Sequence, residues 1–291
     1  MKYFVAALLA CAAPAAAQLG TPQGNGPSAS YSYLYSGGGL YQDRGALALD
    51  TPLGRAGGTA LRASAGLTRI DSAGAGFPAK LYKEDFRLSA RDGRLSGAIG
   101  LSSDSDQPFH SAAETDLGVN LSAELSEPGA RGAWLVGLNY STRRSFMRGA
   151  PIPYFTYRYT TDKFSFILPF MLRWQPRKDL ALNASWQPVK YYRLSLAWRP
   201  QGAFSAELEG GAGLEQFLIA GRADKGEALY LQTTALTLKP AVKLSRRAEL
   251  CVPLGWRFRG EYYSGSRYDD YRARRRFGGG PAAGLQLKYA L

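Results

Sequence analysis

From Phe164 the even positions read Phe164, Phe166, Leu168, Phe170, Leu172 and Trp174, while the odd ones read Lys163, Ser165, Ile167, Pro169, Met171 and Arg173. A period of two puts alternate side chains on opposite faces of a strand, and it does not fit an amphipathic helix over the same window. The pattern recurs in Leu180, Leu182, Ala184 and Trp186, in Tyr192, Leu194, Leu196 and Trp198, and in Leu250, Val252, Leu254, Trp256 and Phe258. With smaller residues it runs through Leu95 to Leu101, Leu117 to Leu125 and Trp134 to Tyr140. Weaker candidates lie at 30–36, 45–53, 59–68, 80–91, 153–160, 203–218, 228–244 and 282–291.

These are fifteen candidate strands, and a single-chain bacterial barrel needs an even number. Either the start at Tyr31 is an extension or the stretch Tyr268 to Phe277 is a further strand. The expectation is an all-β, antiparallel transmembrane β-barrel of about 14 strands, range 12–16, at roughly 20 residues per strand and connection. The joins alternate long (Arg69 to Ala79), short (Asp92-Gly93), long (Ser103 to Ala113), short (Glu127 to Ala130) and long (Arg143 to Ile152). Outer-membrane barrels alternate short periplasmic turns with longer outer loops in this way. Gly37-Gly38-Gly39 and Gly278-Gly279-Gly280 read as turns or hinges.

The first residues, Met1-Lys2-Tyr3 and then an apolar run to Ala13, have the proportions of a secretory signal, with Pro14 and the small residues Ala15-Ala16-Ala17 before Gln18. Cleavage between Ala17 and Gln18 divides the chain into a signal peptide, 1–17, and a barrel domain, 18–291. It lowers the formal charge from +13 to +12 by removing Lys2. A lipoprotein reading of Leu8-Leu9-Ala10-Cys11 leaves the apolar run very short. After cleavage only Cys251 remains, so an intramolecular disulfide is excluded. No later segment approaches the ~20 consecutive apolar residues of a membrane helix.

A secreted β-sandwich that binds a ligand would also alternate apolar and polar positions. A membrane strand, however, needs about 9 to 11 residues and ends its apolar face in aromatics at headgroup level. Trp134, Trp174, Trp186, Trp198 and Trp256, with Tyr140, Tyr192 and Phe258, sit at or near such ends and form a candidate aromatic girdle. At the C-terminus Gly284 is followed by Leu285, Leu287, Tyr289 and Leu291 in strict alternation. This end resembles the recognition signal of bacterial outer-membrane barrels, although Leu291 stands where an aromatic is usual. The resemblance implies engagement of the barrel-assembly machinery through the last strand. The stretch from Ala150 to Arg199 resembles uncharacterised, porin-like outer-membrane β-barrel families of Gram-negative bacteria, which implies a fold and a location but no activity.

Candidate chemistry is thin. His110, the one histidine, lies beside Ser111 in a polar segment, and a barrel hydrolase acting on lipid or peptide would need a base, a nucleophile and an orienting group to converge. Neighbours in sequence seldom do so, and a lone loop histidine is far more often a solvated residue. Asp104, Asp106, Glu114 and Asp116 have no calcium-loop spacing, and adjacent Asp269 and Asp270 point to opposite faces if they lie on a strand. No cofactor is expected, and the protein reads as a non-enzyme.

The charge is more informative, with 36 Lys+Arg against 23 Asp+Glu. If the apolar faces meet lipid, alternation turns Arg173, Arg193, Arg199, Arg257 and Arg259 inward, together with Arg62, Lys83, Arg87 and Arg91 and the acids Asp85, Glu124, Glu207, Glu209 and Glu249. An arginine excess in a hydrated lumen favours anions, so the expected function is a passive pore with mild anion preference; a structural barrel pairs the same charges off. The run Arg272-Ala-Arg274-Arg275-Arg276, among Tyr262, Tyr263, Tyr268 and Tyr271, has the composition of a nucleic-acid contact, but export makes nucleic acid a poor partner and outer-membrane lipid or lipopolysaccharide a better one.

Overall fold

Strands whose one face is apolar and whose other face is polar can satisfy every backbone group and expose no edge by closing into a barrel. The computed structural model describes residues 28–36, 40–74, 76–127, 130–144, 147–187, 189 and 191–289, with backbone only for 28–36. The signal peptide with Ala17 and Gln18, the glycines 37–39, and Leu291 lie outside the described residues. Among the described residues the regular structure is all β, in eighteen strand segments: β1 (Ser28–Ser36), β2 (Leu40–Ala56), β3 (Thr59–Ala73), β4 (Lys80–Asp92), β5 (Leu95–Ser105), β6 (Asp116–Glu124), β7 (Gly132–Ser141), β8 (Ile152–Thr160), β9 (Phe164–Ile167), β10 (Met171–Arg177), β11 (Leu180–Gln187), β12 (Tyr191–Trp198), β13 (Phe204–Phe217), β14 (Ala228–Lys243), β15 (Ala248–Cys251), β16 (Leu254–Gly265), β17 (Arg272–Phe277) and β18 (Gly280–Tyr289).

Each strand pairs antiparallel with the next, and β1 pairs with both β2 and β18, which closes the ring. Segments β15 and β16 both pair with β14 and with β18, so they are one strand interrupted at Val252-Pro253. Likewise β17 and β18 both pair with β16 and form one strand interrupted at Gly278-Gly279. The ring therefore has sixteen strands, two more than the fourteen expected. The stretch Phe164–Trp174, which reads as a single strand, is a hairpin of β9 and β10 folded about 168–170. Pro169 has no N–H to continue a ladder, and a three-residue turn leaves the even-numbered phase unchanged, which hides the reversal from a period-two reading. Tyr31 belongs to a true strand, and Arg272–Phe277 extends the last one.

At one end the connections are short, as at 57–58, 93–94, 161–163 and 178–179; at the other lie 106–115, 142–151 and 218–227. The outward face is apolar between these ends. Leu47, Leu67, Phe86, Ile99, Leu121, Phe155, Leu194, Leu208, Leu238 and Leu285 are all exposed on it, as are the five tryptophans. Near the short-turn end aromatics touch from strand to strand: Trp134 stacks on Phe155 at 4.5 Å, Tyr159 on Phe166 at 5.6 Å, and Trp198 meets Phe204 edge-on at 6.0 Å. Trp186 and Tyr192 pair at the opposite end, and Trp256 lies in mid-strand.

Strand length divides the wall. Between β6 and β12 no strand exceeds 10 residues, whereas β2, β3, β13 and β14 have 17, 15, 14 and 16. The long strands rise past their short neighbours, since β12 stops at Tyr191, paired with Gly213, and β13 runs on to Phe217. That overhang crosses the ring. Leu218 donates its N–H to the Asp104 carbonyl at the end of β5 and accepts from Ser105 Oγ, both at 2.7 Å. Beneath the crossing the inward side chains of the long strands, Leu40, Ile70, Leu81, Phe217, Leu229, Leu231, Tyr262 and Phe277, pack with Phe77 into one buried cluster. The lumen is thus filled by a hydrophobic stopper at the long-loop end, while Tyr230 and Tyr263 stack at 5.2 Å on the outer side of the same strands beneath Leu218 and Tyr268.

Candidate functional site

The stopper requires the lumen to change character along its axis, and the alternation does so. In β14 the outward residues Leu236 and Leu238 are even-numbered, but Leu229 and Leu231, buried inside, are odd-numbered. The same switch separates Leu47 and Leu49 from Leu40 in β2, and Phe86 and Leu88 from Leu81 in β4. Below the stopper the inward face is polar and charged.

The Glu215 carboxylate of β13 accepts from Arg44 of β2 at 2.7 and 2.9 Å and pairs with Lys83 of β4 at 2.8 Å. Lys83 stands 3.8 Å from Asp104, and its ammonium lies 5.2 Å from the centre of the Phe217 ring. On the other side Gln42 Oε1 accepts from Arg257 of β16 at 3.1 Å and from Arg44 at 3.4 Å. A continuous polar line therefore spans the ring from β16 to β5. Glu215 is its centre and fixes β13 across the lumen.

Two cavities flank this line and share Leu214, Glu215 and Gln187. The first, about 520 Å³, lies between the inward faces of β4–β7 and the leaning end of β13, and its charged lining is Lys83, Arg87, Arg143 and Arg144 against Asp85, Asp104, Glu114, Asp116 and Glu215. The second, about 570 Å³, is lined by Arg44, Arg193 and Arg257 against Glu209 and Glu215. The cation surplus thus belongs to the inner cavity. Arg193 pairs with Glu209 at 3.5 Å, and Lys239 joins the same carboxylate at 2.9 Å. Arg257 is buried against the Phe277 ring at 5.3 Å and takes Gln42, a neutral amide, as its hydrogen-bond partner.

Solved structures similar to this chain include an outer membrane channel and porins. An outer membrane channel from Pseudomonas putida F1 has 10% identity and a TM-score of 0.39, covering 92% of this chain and 96% of its own. The NanC porin has 10% identity and a TM-score of 0.30 over 91% of this chain and 100% of its own, and a mutant of the Rh. blastica porin has 8% and 0.35 over 90% and 98%. No family model and no curated protein matches the chain. At these scores the likeness carries no weight beside the closed strand order, which stands on the chain's own pairing.

Of the arginines that alternation turns inward, Arg173, Arg193 and Arg257 lie on the inner face. Arg199 lies beyond the end of β12, exposed in the short turn that follows. Arg259 is a correction, since it faces outward. Thr234 pairs with Arg259 and Ala235 with Arg257, so Phe258 is an extra residue, a β-bulge that inverts the phase of every later residue in β16. Gly279 faces the bulge, and a Cβ there would collide with the carbonyl oxygens of Arg257 and Phe258. Gly284, Leu287 and Tyr289 lie in β18, with Leu287 and Tyr289 on the outward face.

The acids that invite a catalytic comparison hold loops together. Glu114 is fully buried between loops 106–115 and 218–227, paired with Arg222 at 2.7 Å and Lys225 at 3.7 Å and accepting from the Ser111 hydroxyl. Burial alone would raise its carboxyl, but the Ser111 and Arg222 hydrogen bonds and the nearby cations hold it below its ordinary value. Asp106 accepts from the Ala220 N–H at 2.7 Å, and Asp116 accepts from Ser141, Thr142 and Arg143. Ser111 donates to Glu114, away from any pairing with exposed His110. Asp269 pairs with Arg267 and Asp270 with Arg272, so the two carboxylates do not converge.

Proposed function

We propose that this protein is an outer-membrane channel with a narrow, side-opening lumen and a mild preference for anions. The observation that carries the reading is the closed antiparallel ring of sixteen strands with an exposed apolar outer face and a charged inner one, because only such a ring satisfies its backbone in lipid while offering a polar route. A soluble sandwich would bury those apolar side chains in a core. The stopper blocks the axis at the long-loop end, so solutes enter through the first cavity, beside the low rim of β6–β12, and pass Glu215 into the second. Selectivity then resides in the second cavity, where three arginines face two glutamates. The last strand, with its outward leucines and Tyr289, is the segment offered to the barrel-assembly machinery.

The test is planar-bilayer recording with purified protein under a KCl gradient. The reading expects a small steady conductance whose reversal potential lies on the chloride side, and a shift toward potassium in Arg193→Glu. Absence of any conductance overturns the channel.

A further inference from the structure

The bulge at Phe258 does more than move one arginine. Up to that point the outward residues of β16 are Leu254, Trp256 and Phe258, all exposed; the next is Arg259, exposed on the same side, followed by Glu261. On the adjoining strand Arg274 and Arg276 face outward opposite them, and both pair with Glu261, at 2.6 and 3.5 Å. Two guanidinium groups thus share a single carboxylate, and Arg259 stands beside them. Arg259 forms no ion pair among the described residues, and Arg276 is 73% exposed. Both are open to a ligand from outside the barrel.

Directly beside this cluster lies an apolar groove of the outer surface, with a volume of about 1100 Å³. Its walls include Phe166, Leu182, Trp186, Leu194, Leu236 and Phe258, and its floor is opened by Gly210 and Gly211. Thr234, on its edge, is the cross-strand partner of Arg259. Apolar groove and basic rim meet at one residue step, from Phe258 to Arg259, on the side of the barrel that carries the long loops. That arrangement has the polarity of a phosphorylated amphiphile with its chains toward the bilayer and its phosphates at the surface.

We infer that this face binds the phosphorylated glycolipid of the outer leaflet, lipopolysaccharide, with Arg259 and Arg276 on its phosphates, Arg274 supporting them through Glu261, and an acyl chain in the groove. The inference rests on the membrane reading of the barrel but not on conduction. Guanidinium forks suit phosphate oxygens, and several cations in one patch suit a headgroup with more than one phosphate.

Purified protein in detergent is titrated with lipopolysaccharide, with the same material dephosphorylated, and with phosphatidylglycerol, and bound lipid per barrel is measured; heat-modifiable mobility on gels reports folding. Arg259→Gln with Arg276→Gln is expected to weaken lipopolysaccharide binding about thirtyfold while mobility is retained, and Lys at both positions to restore most of it. Phe258→Ala, at the groove, should weaken binding of the dephosphorylated material as well. Equal binding by wild type and the Gln variant overturns the site, as does phosphatidylglycerol bound as tightly and lost as steeply. A protein that stays monodisperse without detergent overturns the membrane reading instead.

Discussion

The short strands β6–β12 and the long strands flanking them build the two sides of the wall by different rules. On the short side the outer face carries the apolar side chains, aromatics meet in a row such as Trp134, Phe155 and Tyr157, and most interior residues are polar. On the long side the strands outrun the thickness that ~9 to 11 residues cover. Their upper parts pack on both faces, around Phe217 and Leu231 inside and around Tyr230 and Tyr263 outside. One side obeys the economy of lipid, in which the solvent supplies the apolar contact. The other adds a water-facing core of its own, and that core blocks the axis.

Truncation should separate the two most strongly. Phe217→Ala empties a fully buried site in the stopper and is expected to cost about 3–5 kcal/mol in detergent unfolding. Phe155→Ala removes an exposed ring stacked on Trp134 and should cost about 1 kcal/mol. Equal losses would erase the distinction. An effect between these two is expected from Glu114→Gln, about 3 kcal/mol, because it leaves Arg222 buried without its carboxylate between two loops of the capped end. Removal of Asp179, in a short turn, whose partner Arg177 is 71% exposed at the end of β10, should cost under about 1 kcal/mol.

Acid gives the gentlest probe of the same contrast. The folded-state value of Glu114 lies below its ordinary 4.5, so its contribution is complete above that pH and is lost as pH falls through the lowered value. The protection of amides in loops 106–115 and 218–227, taken relative to the intrinsic exchange rate at each pH, should therefore fall below pH 4.5, before the apolar belt responds. Protection that stays constant through that fall in pH would refute the clamp.

Much of this was legible in the residues. Alternation from Leu180 to Trp198 reads directly as two lipid-facing strands, because nothing there interrupts the ladder. The hairpin at Pro169 was not legible, since both its arms keep apolar residues on even positions. Arg259 was misplaced because a bulge leaves no mark on composition; its one trace is the pair of glycines at 278–279, where close backbone approach is needed. The stopper had a signal that a single-phase reading passes over. In Ala228–Lys243 the leucines change from odd to even positions across Gln232–Ala235, and β2 and β4 change phase as well. The Glu215 line depends on strands more than a hundred residues apart, and no local pattern encodes it.

The most direct test of the account is a cross-link between Asp104→Cys and Leu218→Cys in a Cys251→Ser background, where a 2.7 Å backbone hydrogen bond already joins the two positions. Single-channel current is measured before and after oxidation. If the crossing strand is a permanent stopper and solutes enter at its side, oxidation leaves the conductance within about twofold of its starting value. If the current disappears on oxidation and returns on reduction, the overhang is a moving gate and the account is wrong.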